Sequence, residues 1–111
     1  MSLAITPTSA SNILDIIIVA GFVSSTAVGS NDNGMALFQD STANALAGID
    51  ARYAASTPGA LTLHYHMTAG TTSATTFKVR MGCAAAGTFT FNNNAYGNIT
   101  QSSITIIEST P

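Results

Sequence analysis

The sequence predicts an all-β fold, an antiparallel β-sandwich of jelly-roll-like character. Three observations predict it. Segments of two-residue alternation recur along the chain, runs of helical period are absent, and turn-forming clusters arrive at intervals of about ten residues. Thr, Val and Ile, which fit a pleated half-buried surface, are abundant.

Residues 13–23 form the first expected strand. Leu14, Ile16, Ile18 and Phe22 point one way, and Ile13, Ile17, Val19 and Val23 the other, so both faces are apolar. A strand of that kind needs a second cover, either a loop of the same chain or a neighbouring subunit. Asp15 interrupts the apolar run and calls for a partner such as Arg52 or a hydroxyl, or for exposure at the strand's start. Shorter strands are expected at 34–39 and 45–49, the second ambiguous with a helical turn inside 43–55.

The clearest alternation is at 61–67, with Leu61, Leu63, Tyr65 and Met67 inward and Thr62, His64 and His66 outward. Residues 74–81 repeat it, with Phe77, Val79 and Met81 inward and Lys78 and Arg80 outward. At 87–91, Phe89 and Phe91 share a face, and at 103–108 Ile104 and Ile106 stand against Thr105. Turns fall at 30–34, 57–59, 69–71 and 92–94.

A chain of 111 residues is expected to be one domain, 1–111, long enough to bury a real core. Charged residues make up 7% of it, against roughly 25% in an ordinary soluble domain. Lys78, Arg52 and Arg80 are the only basic residues, too few for an electrostatic nucleic-acid binder or an anionic-membrane patch. The apolar stretch at 13–23 is well short of the ~20 residues of a membrane-spanning helix, and no Lys or Arg precedes it as in a signal peptide. Neither nucleic acid nor membrane insertion is expected. One cysteine, Cys83, leaves no intrachain disulfide, consistent with a soluble protein made in a reducing cytoplasm.

Residues fit for catalysis are sparse. Cys83 sits beside Gly82 and three alanines, the setting of an inert thiol. Asp32 and Asp40 lie among turn residues, where capping accounts for them, and no calcium loop follows Asp32. The chain is therefore expected not to be an enzyme and to carry no cofactor. His64 and His66 share a strand face and are expected to hydrogen-bond to Thr62, Thr68 or water. Two imidazoles per chain do not close a metal site, although a threefold axis would gather six. The stretch Asn92-Asn93-Asn94-Ala95-Tyr96-Gly97-Asn98 is the candidate contact surface, with Asn92, Asn93, Asn94 and Tyr96 as its binding residues, because amides beside an aromatic ring suit sugar hydroxyls and ring faces. A plain turn between strands is the alternative reading of the same residues.

Three segments carry a resemblance. The opening Ile5-Thr6-Pro7-Thr8-Ser9-Ala10-Ser11-Asn12-Ile13-Leu14, the Thr-rich entry Thr71-Thr72-Ser73-Ala74-Thr75-Thr76-Phe77-Lys78-Val79, and the ending Ser102-Ser103-Ile104-Thr105-Ile106-Ile107-Glu108 occur in that order. Together they resemble the C-terminal knob or tip domain of bacteriophage tail-fibre and tail-spike proteins. Met67-Thr68-Ala69-Gly70 stands where that family often has an Asp-Ser-Pro-like turn, and no stalk precedes Leu3. The resemblance implies a homotrimeric β-jelly roll in the virion tail, assembled in the host cytoplasm and placed to touch host cell-surface carbohydrate. Six histidines on the threefold axis would resemble the iron sites of some fibre tips. The competing expectations are a free-standing bacterial carbohydrate-binding or adhesin-like sandwich, and a purely structural virion protein.

Overall fold

The computed structural model describes residues 1–26, 32–93, 97 and 99–111; of Asp32 only the backbone is described. Every regular element among them is a strand. In chain order these are β1 (Ser2–Ile5), β2 (Ile13–Ser25), β3 (Asp32–Gln39), β4 (Ala47–Arg52), β5 (Gly59–Thr68), β6 (Thr75–Cys83), β7 (Phe89–Phe91) and β8 (Ser103–Ser109). Among the described residues no helix is long and apolar enough to cross a membrane.

Two antiparallel sheets form a sandwich. The first has the order β1-β6-β3-β4; the second has β2 at its centre, β5 on one edge, and both β8 and β7 on the other. Successive strands mostly alternate between the sheets, and β3–β4 is the one local hairpin among the described strands. The molecule measures 46 × 31 × 20 Å, a slab whose thickness is that of two sheets packed about 10 Å apart with their outward side chains.

The core follows from the alternation. Leu14, Ile16, Ile18, Ala20, Leu61 and Leu63 from the second sheet join Met35, Leu37, Phe77 and Val79 from the first. Ile104, Ile106, Tyr65 and Met67 close its margins. The outward residues of β5, namely Thr62, His64, His66 and Thr68, are exposed as the sequence predicts.

The structure departs from the sequence reading in four places. Strand β4 is the strand expected in this region rather than a helical turn, but it occupies Ala47–Arg52 instead of 45–49. Strand β1 was not expected: only Leu3 and Ile5 are strongly apolar in it, and it is a short edge strand. Strand β3 begins at Asp32, inside the predicted turn.

The fourth difference is a β-bulge. Pairing of β2 with β5 slips between Ala20 and Val23, so the alternation changes phase. Val23, expected outward, is fully buried, while Phe22 is only half-buried. At the bulge β2 also changes neighbours, pairing β8 through Val19 and β7 from Val23 onward. Gly21 sits there with its N–H donated to Ser102 Oγ at 3.0 Å.

Candidate functional site

The bulge fixes the base of the candidate loop after β7. Asn92 adopts a left-handed conformation, φ 51°, which its short polar side chain tolerates. Its N–H donates to the Phe22 carbonyl at 3.2 Å, and its Oδ1 accepts from Ser102 Oγ at 2.6 Å. The Asn93 carbonyl accepts from Thr100 Oγ1 at 2.6 Å. Asn92 therefore ties the loop to β2 and the start of β8, while Asn93 is exposed beside it. Asn94 and Tyr96 lie outside the described residues.

A second constellation lies on the outer face of the second sheet, where the register lines up three rows. His66, Asp15 and Ile107 form one; His64, Ile17 and Thr105 the next; Thr62, Val19 and Ser103 the third. Asp15 Oδ1 accepts from His64 Nε2 at 3.0 Å and from His66 Nδ1 at 2.9 Å. Hydrogen bonds from His66, then His64, hold the Asp15 carboxyl below its ordinary range. Its partners are thus the two histidines rather than Arg52 or a hydroxyl, and the histidines bond to it rather than to Thr62 or Thr68. Sequence reasoning missed the trio because Asp15 is distant in sequence from both partners and only the β2–β5 register joins them.

The centre of this face is apolar. Ile13, Ile17 and Val19 are half-buried, and Ile107 is 50% exposed. Their flanking neighbours Thr62, His64, His66, Ser103 and Thr105 are all exposed, so no layer of the described chain covers the face.

The outer face of the first sheet carries a shallow groove of about 580 Å³. Gly34, Ala36, Gly48 and Gly82 make its floor; Arg80 stacks on the Phe38 ring at 4.8 Å on one flank, and Asp50 stands on the other. None of these glycines has a positive φ, and a Cβ at Gly82 meets nothing within 4 Å. Gly82→Ala is accordingly expected to raise stability by about 0.5–1 kcal/mol, since glycine within a strand carries an excess entropic cost. Urea unfolding checks this, and a loss of stability would show that the bare backbone is needed.

Two carboxylates act as clamps. Glu108 Oε1 accepts from Asn12 Nδ2 at 2.7 Å, Thr8 N at 2.7 Å and Thr8 Oγ1 at 2.9 Å. Asp40, at φ 51°, accepts from Thr76 N and Thr75 Oγ1, each at 2.8 Å, and its carbonyl accepts from Lys78 Nζ at 2.7 Å. The Asn12 amide foremost lowers the Glu108 pKa, and the Thr76 N–H foremost that of Asp40. A carboxylate lowered in the folded state stabilises fully above its unfolded pKa, and this is lost as pH falls through the folded value. The melting temperature is therefore expected to fall once pH drops below about 4, and Glu108→Gln is expected to make that fall shallower. Thermal scans between neutral and acid pH test both.

Cys83 Sγ donates to the Ala85 carbonyl at 3.2 Å and is half-buried. Among the described residues no group of three or more His, Cys, Asp or Glu side chains is placed so that it could hold a metal ion. Comparison with known proteins finds no family model that matches this sequence and no matching curated protein.

Proposed function

We propose that this protein is a binding and assembly module, a homotrimeric phage tail-fibre or tail-spike tip domain that recognises host cell-surface carbohydrate. The observation that carries the reading is the uncovered apolar stripe Ile13, Ile17, Val19 and Ile107 on the outer face of the second sheet. A sandwich that remains alone in water keeps the outer side of such a strand polar; an apolar stripe is what a subunit interface needs. The resemblance of three segments to the tip-domain family gives the expected partner, two further copies of the chain.

Carbohydrate contact rests on the loop after β7. Its base is pinned by Asn92, Ser102 and Thr100, which leaves Asn93 exposed on a rigid support. Three such loops on one knob bind through high effective concentration even where each contact is weak. A hydroxyl- and amide-rich surface with 7% charged residues suits neutral glycans better than charge pairing.

Light scattering after size-exclusion chromatography tests the assembly. The expected mass is three times 11.3 kDa, and Ile17→Asp is expected to reduce it to that of one chain without unfolding it. A wild-type monomer refutes the trimer. Adsorption to host cells or a glycan array tests the loop: Asn93→Ala with Tyr96→Ala is expected to abolish binding while leaving the mass unchanged. A trimer that binds no glycan points to the purely structural virion role.

A further inference from the structure

The outer face of the first sheet carries a guanidinium without a counter-ion. Arg80 is exposed, and among the described residues its only partner is the Phe38 ring, 4.8 Å from the guanidinium carbon. Lys78, its neighbour on that face, differs, because its ammonium donates to the Asp40 carbonyl. Stacking on a ring holds a guanidinium flat and leaves its N–H edges to donate two parallel bonds to an oxyanion. Asp50, across the groove, has a carboxylate with no partner among the described residues. Register puts Arg80 and Asp50 at opposite corners of a patch two rows by three strands, their Cα atoms about 12 Å apart. The two charges do not pair with each other.

Between them the floor is bare backbone that the fold does not require. Gly34, Gly48 and Gly82 lie within strands. A Cβ at Gly82 meets nothing within 4 Å, and at Gly34 and Gly48 the nearest atoms are 3.9 and 3.4 Å away, which is ordinary contact. Glycine weakens a strand, and where packing leaves room for a side chain it marks the close approach of a ligand. The groove's volume of about 580 Å³ falls in the range of small-molecule sites, about 300–1,000 Å³. From this geometry we infer that the groove binds an acidic saccharide unit. Its carboxylate or phosphate takes the Arg80 guanidinium, its hydroxyls donate to Asp50, and a ring face lies on the glycine floor.

The charges select the occupant. A neutral sugar leaves Arg80 without an opposite charge, and a bare anion leaves Asp50 unused and is repelled by it. A sugar that carries both an anion and hydroxyls satisfies the two together. The groove lies on the opposite side of the sandwich from the apolar stripe, so assembly through that stripe leaves it open. The site rests on the carbohydrate reading for its class of ligand only; neither the loop after β7 nor the trimer is needed to form it.

NMR titration of the full chain with a glucuronic acid oligosaccharide and with glucose 6-phosphate tests the inference. A glucose oligosaccharide, glucose and inorganic phosphate are the controls. The expected result is movement of the Gly34, Gly48 and Gly82 amides and of the Arg80 Nε–H with at least one acidic sugar, the tighter of the two identifying the anion. The neutral sugars and inorganic phosphate are expected to bind at least about ten-fold more weakly, and Arg80→Gln and Asp50→Ala to weaken acidic-sugar binding by a similar factor. Gly34→Ala/Gly82→Ala is expected to weaken binding without lowering the melting temperature, a separation that a structural role for the glycines would not give. No movement with either acidic sugar overturns the site. So does equal binding of a neutral sugar or of inorganic phosphate, or wild-type binding by Arg80→Gln. Loss of these shifts in Asn93→Ala/Tyr96→Ala also overturns it, because the ligand would then sit on the loop. A protein that holds an acidic sugar in the groove and no glycan on the loop refutes the loop and leaves this inference standing.

Discussion

Replacing Phe77 with alanine is expected to destabilise the fold by about 3–5 kcal/mol, the cost of removing a large buried aromatic and leaving a cavity. Phe77 is fully buried on β6, a central strand of the first sheet, between Leu3 of β1 and Gln39 of β3. The change removes core area that no neighbour replaces, because β1, on one side, is a short edge strand whose Leu3 is itself 38% exposed. A domain of this size has about 5–15 kcal/mol in total, so the variant sits close to its unfolding threshold. Chemical denaturation gives the value directly. Ile107→Ala is the control: 50% exposed in the single chain, it is expected to cost well under about 1 kcal/mol in monomer stability. Equal losses at the two positions would mean that the core is not where the structure places it.

Gly21→Ala is expected to have the second largest effect. A Cβ at Gly21 runs into the backbone carbonyl of Gln101, which no side-chain rotation relieves. Either β2 or the segment leading into β8 must shift, at a cost of about 1–3 kcal/mol or more. The same shift disturbs the Gly21 N–H to Ser102 bond, and with it the Ser102–Asn92 bond that closes the candidate loop. The variant is therefore expected to lose both thermal stability and the ordered loop. Amide exchange at Asn92 and Asn93 reads the second loss apart from the first. Unchanged melting would show that the bulge accommodates a methyl group.

These two sites mark the limit of what the sequence reveals. Phe77 is legible because its neighbours Lys78 and Thr76 alternate with it, and period two assigns faces without any partner being known. Gly21 is not legible. A bulge shifts the phase of β2 by one residue, and nothing in Ala20-Gly21-Phe22-Val23 announces that Val23 and not Phe22 goes inward. The functional groups divide in the same way. That Asn92 and Asn93 lie on a turn follows from local chemistry, and so does the shared face of His64 and His66. That Asp15 lies between those histidines, and that Glu108 clamps Thr8 and Asn12, depends on strand register between distant segments. Ala47–Arg52 was obscured for a simpler reason: Ala, Gly and Asp dominate it, and its alternation lacks contrast.

The strand order also dictates when this protein can fold. Its central strand waits for partners synthesised much later: Ile16 pairs with Tyr65 on one side and with Ile106 on the other. Among the described strands only the β3–β4 hairpin closes early. The nascent chain thus emerges with its stickiest segment, Ile16-Ile17-Ile18-Val19, unpaired until β5 and β8 have been made. Folding is expected to be slow, as for other chains dominated by distant pairings. Removal of β8 then acts as a production defect, since it leaves one edge of the aggregation-prone segment unpaired.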